Sequence, residues 1–226
     1  MECMCMERIL YAGDSTVQLN KIDTYPQTGM GQVLSLYTRD GVEVKNFAKN
    51  GRSTKSFIDE GRLAAMEREL RPGDLLLVQF GHNDEKDDPA RHTCPDTDFQ
   101  ENLLRFAQAA KERGARAVFV TPIARRLFDA QGRFCAGSHG AYPEAVKAAA
   151  ARAGVPVVDL TSITEAYLER VGDLWSRPLF VWPKDNTHLK YEGAILMAGF
   201  LVKELKKLGE PYRGLFEAFD AGKEKG

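Results

Sequence analysis

The sequence predicts an α/β protein with a parallel sheet and helices on both of its faces. Three observations carry this expectation. Short apolar runs alternate with amphipathic helical stretches along the chain, the pattern of repeated β-α units. The run Leu75-Leu76-Leu77-Val78-Gln79-Phe80 is almost continuously apolar, as suits a strand covered on both faces. The segments Gly13-Asp14-Ser15, Asn50-Gly51, Gly81-His82-Asn83 and Thr121-Pro122 each follow such a run. They would therefore line the carboxyl edge of the sheet, where ligands bind in this class.

The elements follow in order. Ile9–Ala12 reads as the first buried strand. Val42–Ala48 alternates apolar and polar residues and ends at the turn signal Asn50-Gly51. Lys55–Leu70 reads as one amphipathic helix, with Phe57, Ile58, Leu63, Met66 and Leu70 near helical spacing. Pro72-Gly73-Asp74 ends it, and Leu75–Phe80 follows as a strand. Glu85–Asp98 is polar, holds two prolines and reads as a loop. Phe99–Arg113 is a helix, Ala117–Val120 a buried strand, and Asp129–Gly140 irregular. Tyr142–Ala153 is a helix with Pro143 in its first turn, where a missing N–H costs nothing. Val155–Leu160 reads as a strand and Ser162–Val171 as a helix. Gly172–Asn186, with two tryptophans and two prolines, reads as an ordered loop. Glu192–Leu208 is the last helix, and the Lys/Glu/Gly-rich tail is expected to fray.

Bulk composition narrows the function. A chain of 226 residues suits a single domain, 1–226, with its core over about 8–208. A net charge of -1 argues against a nucleic-acid footprint, which needs a clustered basic face. No apolar run approaches the roughly 20 residues of a membrane span. The start, Met1-Glu2-Cys3-Met4-Cys5, lacks a basic segment followed by an apolar one, so the expectation is a cytoplasmic protein. Cys3, Cys5, Cys94 and Cys135 are expected to be free reduced thiols.

The chemistry begins at Ser15. A serine hydroxyl is a poor nucleophile until a base and a fixed geometry activate it. Alone, Gly13-Asp14-Ser15 reads as a helix cap or a turn. A phosphate loop is disfavoured, because its further glycines and Lys-Ser/Thr pair are missing. Downstream, Asp185 and His188 lie three residues apart. In that arrangement His188 takes a proton from Ser15, and Asp185 orients the ring and stabilises the imidazolium. Asp185 as a plain cap is the alternative. Oxyanion donors are available from the Ser15 and Gly51 N–H groups and the Asn83 side-chain amide. His82 reads as a structural hydrogen-bonder. Zinc binding by His82, Asp84, His92 and His188 is disfavoured for want of ligand spacing.

These four blocks in this order resemble the SGNH (GDSL) hydrolase superfamily. Gly13-Asp14-Ser15-Thr16, Asn50-Gly51-Arg52-Ser53-Thr54-Lys55-Ser56-Phe57 and Gly81-His82-Asn83-Asp84 look like its rhamnogalacturonan acetylesterase branch. The resemblance covers Ile9 to about Leu208 and implies a three-layer α/β/α, flavodoxin-like fold with a parallel sheet of about five strands. It implies Ser15 as nucleophile, Asp185 and His188 completing the triad, and Gly51 and Asn83 as oxyanion donors. It also implies removal of O-acetyl groups from pectin-type oligosaccharides, with no metal or organic cofactor. Under this fold Arg52, Arg125, Arg126, Trp175, Trp182 and Lys184 are placed near a cleft; Arg52, Arg125 and Trp182 are the expected substrate contacts. The competing readings are a lipase or thioesterase on longer acyl esters, an acetylxylan esterase, and a glycan-binding protein without catalysis.

Overall fold

Five short strands form one sheet in the computed structural model, which describes residues 7–217. They are β1 (Glu7–Gly13), β2 (Val42–Asn46), β3 (Leu75–Gln79), β4 (Arg116–Val120) and β5 (Val157–Val158). All pairs are parallel, in the order β2-β1-β3-β4-β5. The register sets Gly13 beside Gln79. The chain therefore leaves β1 and β3 side by side at the edge where both strands stop.

Strand periodicity of two splits the apolar side chains between two cores. Ile9, Tyr11, Leu75, Leu77, Val118 and Val120 face one side. Three helices cover it: α1 (Met30–Val33), α6 (Leu160–Ser176) and α7 (Tyr191–Lys207). Leu10, Ala12, Leu76, Val78, Ala117 and Phe119 face the other side. There the cover is α2 (Thr54–Asp59), α3 (Arg62–Glu69), α4 (Asp98–Glu112) and α5 (Tyr142–Ala153). The result is the three-layer α/β/α arrangement expected. The double cover explains why β3 is buried throughout, while the edge strand β2 is only half-buried.

Three elements depart from the sequence expectation. The helix expected over Lys55–Leu70 is two helices, because Gly61 takes a left-handed conformation (φ 71°) between them. A capping box starts the first: Ser53 Oγ accepts from Ser56 N–H at 3.1 Å and Ser56 Oγ from Ser53 N–H at 2.9 Å. The strand expected over Val155–Leu160 shrinks to Val157–Val158, since Asp159 accepts the Ser162 N–H at 3.1 Å and begins α6. That helix runs past Val171 and kinks at Gly172, so part of the segment read as an ordered loop is helical.

A buried ion pair locks the start of β1 to the turn before β3. Arg8 Nε donates to Asp74 Oδ1 at 3.0 Å, and both side chains are almost wholly buried. Cys94 and Cys135 are exposed free thiols. The expectations for Cys3, Cys5 and the C-terminal tail lie outside the described residues. No helix among the described residues is long and apolar enough to cross a membrane.

Candidate active site

The turn after β1 is built around Asp14. Its backbone carbonyl accepts from Val17 and Gln18 N–H. Its buried carboxylate accepts from Thr16 N–H and Thr16 Oγ1, each at 2.9 Å. Burial raises the Asp14 pKa, and the two Thr16 bonds oppose that rise. The clamp holds Ser15 between two fixed neighbours.

A turn between β5 and α7 supplies the partners. His188 Nε2 lies 2.9 Å from Ser15 Oγ, across 173 positions of sequence. His188 Nδ1 lies 2.5 Å from Asp185 Oδ2. Asp185 Oδ1 accepts from the N–H groups of Thr187 (2.6 Å) and His188 (2.8 Å). Asp185 thus closes a turn and partners the histidine at once; it caps no helix, since α7 begins only at Tyr191. Burial works to raise its pKa, but the bonds from the His188 ring and the two N–H groups outweigh it and hold the pKa below the usual range.

The expected oxyanion donors face the same cavity, of about 370 Å³, which Ser15, Gly51, Asn83, Asp185 and His188 all line. Gly51 sits in the turn closed by Arg52 N–H to the Lys49 carbonyl (3.2 Å), at φ 77°. A glycine serves this position because other residues rarely adopt that φ. Among the described residues the N–H groups of Ser15 and Gly51 have no hydrogen-bond partner. Asn83 Nδ2 donates one hydrogen to the Arg52 carbonyl at 3.1 Å, and Arg91 Nη1 donates to Asn83 Oδ1 at 3.4 Å.

Asp84 knits the site together from below. Its Oδ1 accepts from Thr54 N–H (2.9 Å), Thr54 Oγ1 (2.5 Å) and Thr93 Oγ1 (3.1 Å). The loop after β3, the start of α2 and the 85–98 loop thereby share one carboxyl group. Burial pushes its pKa up to about 7, against the pull of those bonds.

The residues expected to contact substrate divide. Arg125 lines the cavity, with Nη2 on Glu85 and 3.4 Å from the His82 carbonyl. The Arg52 guanidinium is turned to Glu60 (2.8 Å) on a neighbouring surface, although its carbonyl holds Asn83. Trp182 does not line the cavity; the guanidiniums of Arg126 and Arg177 lie 4.5 and 5.2 Å from its ring centre. Arg126 is buried against Ser176 and Asp173, and Trp175 is 81% exposed. Lys86, Arg91 and Gln27 line the cavity without having been singled out in the sequence.

His82 departs from the role expected of it. Neither ring nitrogen has a partner. The ring packs edge-on against His139, centres 4.4 Å apart, and burial pushes its pKa well below the usual histidine value, aided by His139 and Arg125. His139 Nε2 donates to the Ile123 carbonyl (2.8 Å), while Nδ1 faces Glu85 Oε2 at 3.1 Å. His82, Glu85 and His139 place three potential metal-ligand atoms within 4.8 Å of one another, but both Glu85 oxygens are already engaged. Of the four residues weighed as zinc ligands, the three other than His82 are engaged separately. His188 faces Ser15, Asp84 is bonded to Thr54 and Thr93, and exposed His92 contacts the Lys86 carbonyl.

Comparison with known proteins places the chain in a family. Residues 11–194 match the model of the GDSL-like Lipase/Acylhydrolase family. The chain is 41% identical to the rhamnogalacturonan acetylesterase RhgT of Bacillus subtilis, over 91% of this chain and 92% of the relative. It is 30% identical to a rhamnogalacturonan acetylesterase of Emericella nidulans, covering 87% and 84% of the two chains. A crystal structure of the YxiM protein of Bacillus subtilis superposes with a TM-score of 0.80 at 26% identity, over 91% of this chain and 58% of that one. An acetylxylan esterase structure from Geobacillus stearothermophilus shares the fold, with a TM-score of 0.65 at 17% identity over 91% and 95% of the two chains. The chain is a member of the GDSL-like lipase/acylhydrolase family.

Proposed function

We propose that this protein is a serine esterase that removes O-acetyl groups from pectin-type oligosaccharides. The observation that carries the reading is the relay Ser15–His188–Asp185, at 2.9 and 2.5 Å, opening into a cavity with unpaired N–H donors. Two relatives named as rhamnogalacturonan acetylesterases support the substrate class.

The reaction follows from the geometry. Ser15 Oγ attacks the acetyl carbonyl carbon as its proton passes to His188 Nε2. Asp185 stabilises the imidazolium. The tetrahedral oxygen receives the Ser15 and Gly51 N–H groups and the second Asn83 amide hydrogen, each worth about 2.7–4 kcal/mol at the transition state. The ester C–O bond breaks, and His188 returns the proton to the departing sugar oxygen. Water then attacks the acetyl-serine with His188 again as base, releasing acetate.

The cavity's surroundings disfavour a long acyl chain. An apolar groove of about 800 Å³, lined by Tyr37, Tyr167, Leu179, Ile195 and Phe200 among others, shares no lining residue with the cavity around Ser15. Acetate release from acetylated pectic oligosaccharides tests the proposal. The wild-type protein should release it and Ser15→Ala should not. A marked preference for long-chain over acetyl esters would replace this reading with a lipase.

A further inference from the structure

The last helix, α7, is apolar over more of its circumference than one core can use. Ala194, Met197, Ala198, Leu201, Val202 and Leu205 point into the fold and are buried. Ile195, Leu196 and Phe200 lie on the outer side and are only half-buried. With Tyr167 and Leu179 they line the apolar groove of about 800 Å³. A helix that is apolar all round is a buried helix, and an open apolar surface rimmed by charge marks a site of association.

The order of residues along α7 points to the occupant. Three charged residues of this helix line the groove. Lys206 donates to the Glu217 carbonyl at 2.5 Å. Glu192 and Lys203 are exposed and have no partner among the described residues. Between these two run Ile195, Leu196, Gly199 and Phe200, all on one face of the helix. Glu192 with Lys203, Ile195 with Phe200, and Leu196 with Gly199 share one midpoint, between Met197 and Ala198. A second α7 laid antiparallel on the first, with a two-fold axis at that point, pairs acid with base and large with small. Each Glu192 meets Lys203 of the second copy, and each Leu196 meets the dent at Gly199. Tyr37 bounds that dent: a Cβ at Gly199 would come within 3.1 Å of its Oη, which is fixed by a bond to the Ile195 carbonyl at 2.8 Å. A parallel pairing would instead set Lys203 against Lys203 and Glu192 against Glu192. Such matching of one surface to itself is what a symmetric interface demands.

We propose that the α7 groove is the contact surface of a homodimer, in which two copies of this helix cross antiparallel about a two-fold axis beside Met197 and Ala198. Ile195, Leu196 and Phe200 supply the apolar contact, and the two Glu192–Lys203 pairs set its direction and register. The groove shares no lining residue with the cavity around Ser15, so the pairing draws on none of the catalytic residues.

Sedimentation velocity over a concentration series from about 1 to 100 μM measures the pairing. The wild-type protein should run as a dimer at the top of that range and release monomer on dilution. Glu192→Lys and Lys203→Glu should each weaken the dimer by about tenfold in Kd, because the two-fold axis repeats the altered contact. The double variant Glu192→Lys/Lys203→Glu remakes both contacts with the signs exchanged and should return to within about threefold of the wild-type Kd. Leu196→Asp should leave only monomer, since it buries a carboxylate against Gly199 with nothing to pair it. Thermal melts of each variant confirm folding. A wild-type protein that stays monomeric at the highest concentration would overturn the proposal and leave the groove to a different occupant. A dimer that the single reversals leave intact, or that the double reversal does not restore, would overturn it as well and place the contact on another face.

Discussion

The side-chain amide of Asn83 donates to the backbone carbonyl of Arg52 at 3.1 Å. This joins the turn after β3 to the turn that carries Gly51. One amide hydrogen is spent on the link, and the other is left for the cavity. Two of the three oxyanion donors are thus set by one contact.

Asn83→Ala should lower kcat by about 10²–10³-fold, the loss seen when a single preorganised donor is removed. KM should change little, because the donor acts mainly on the charge that develops in the transition state. Steady-state kinetics on an aryl acetate measure both. A rise in KM with kcat intact would place Asn83 in ground-state binding instead.

Asp185→Asn should lower kcat by about 10⁴-fold, since an amide at this position favours the wrong histidine tautomer. Labelling of Ser15 by a fluorophosphonate should slow in parallel. Unchanged labelling would mean that His188 activates Ser15 without help from Asp185.

Asp84 predicts a pH dependence of stability. Its carboxyl has a pKa of about 7 in the folded protein, against about 3.9 in an unfolded chain. The folded state therefore holds the extra proton between those values, and ionising Asp84 costs stability progressively as pH rises from about 4 to about 7. Above that window the penalty is constant. Asp84→Asn keeps a side-chain oxygen for Thr54 and Thr93 but removes the charge. Relative to wild type, its denaturation midpoint should climb from pH 5 to pH 8. A gap that stays flat across that range would show that Asp84 does not titrate there.

Asp74→Ala should cost about 3–5 kcal/mol of stability, because it strands the buried Arg8 guanidinium without its partner. Urea denaturation curves measure it. A loss below about 1 kcal/mol would mean that the guanidinium finds water or another acceptor.

The sheet was legible because its central strands are buried on both faces and stop at turn residues that a sequence displays directly. Gly13, Gly51 and Asn83 were legible for the same reason: each follows a strand at the same edge. The break at Gly61 was overrun by an apolar periodicity that continues from Phe57 through Met66 on the far side of it. The shortened β5 hides behind Asp159, whose capping role shows only once the backbone turns. Lys86 and Arg91 were missed for a different reason. Their loop is held by Thr93 on Asp84 and by Tyr142 on the Asp84 carbonyl at 3.0 Å. Nothing in a polar stretch announces that such distant contacts will bend it over Ser15. Trp182 is the converse, an aromatic suited to a sugar but occupied by two arginines of its own chain.

The 173 positions between Ser15 and His188 have a consequence for the life of the chain. During synthesis the nucleophile emerges first, and its base follows 173 positions later. A fragment that ends before residue 185 carries a serine with nothing to deprotonate it. Hydrolytic power therefore arises all at once, when the turn ahead of α7 docks beside the turn after β1. Turnover of a coloured ester is then a direct readout of intact, fully assembled molecules in a mixed population.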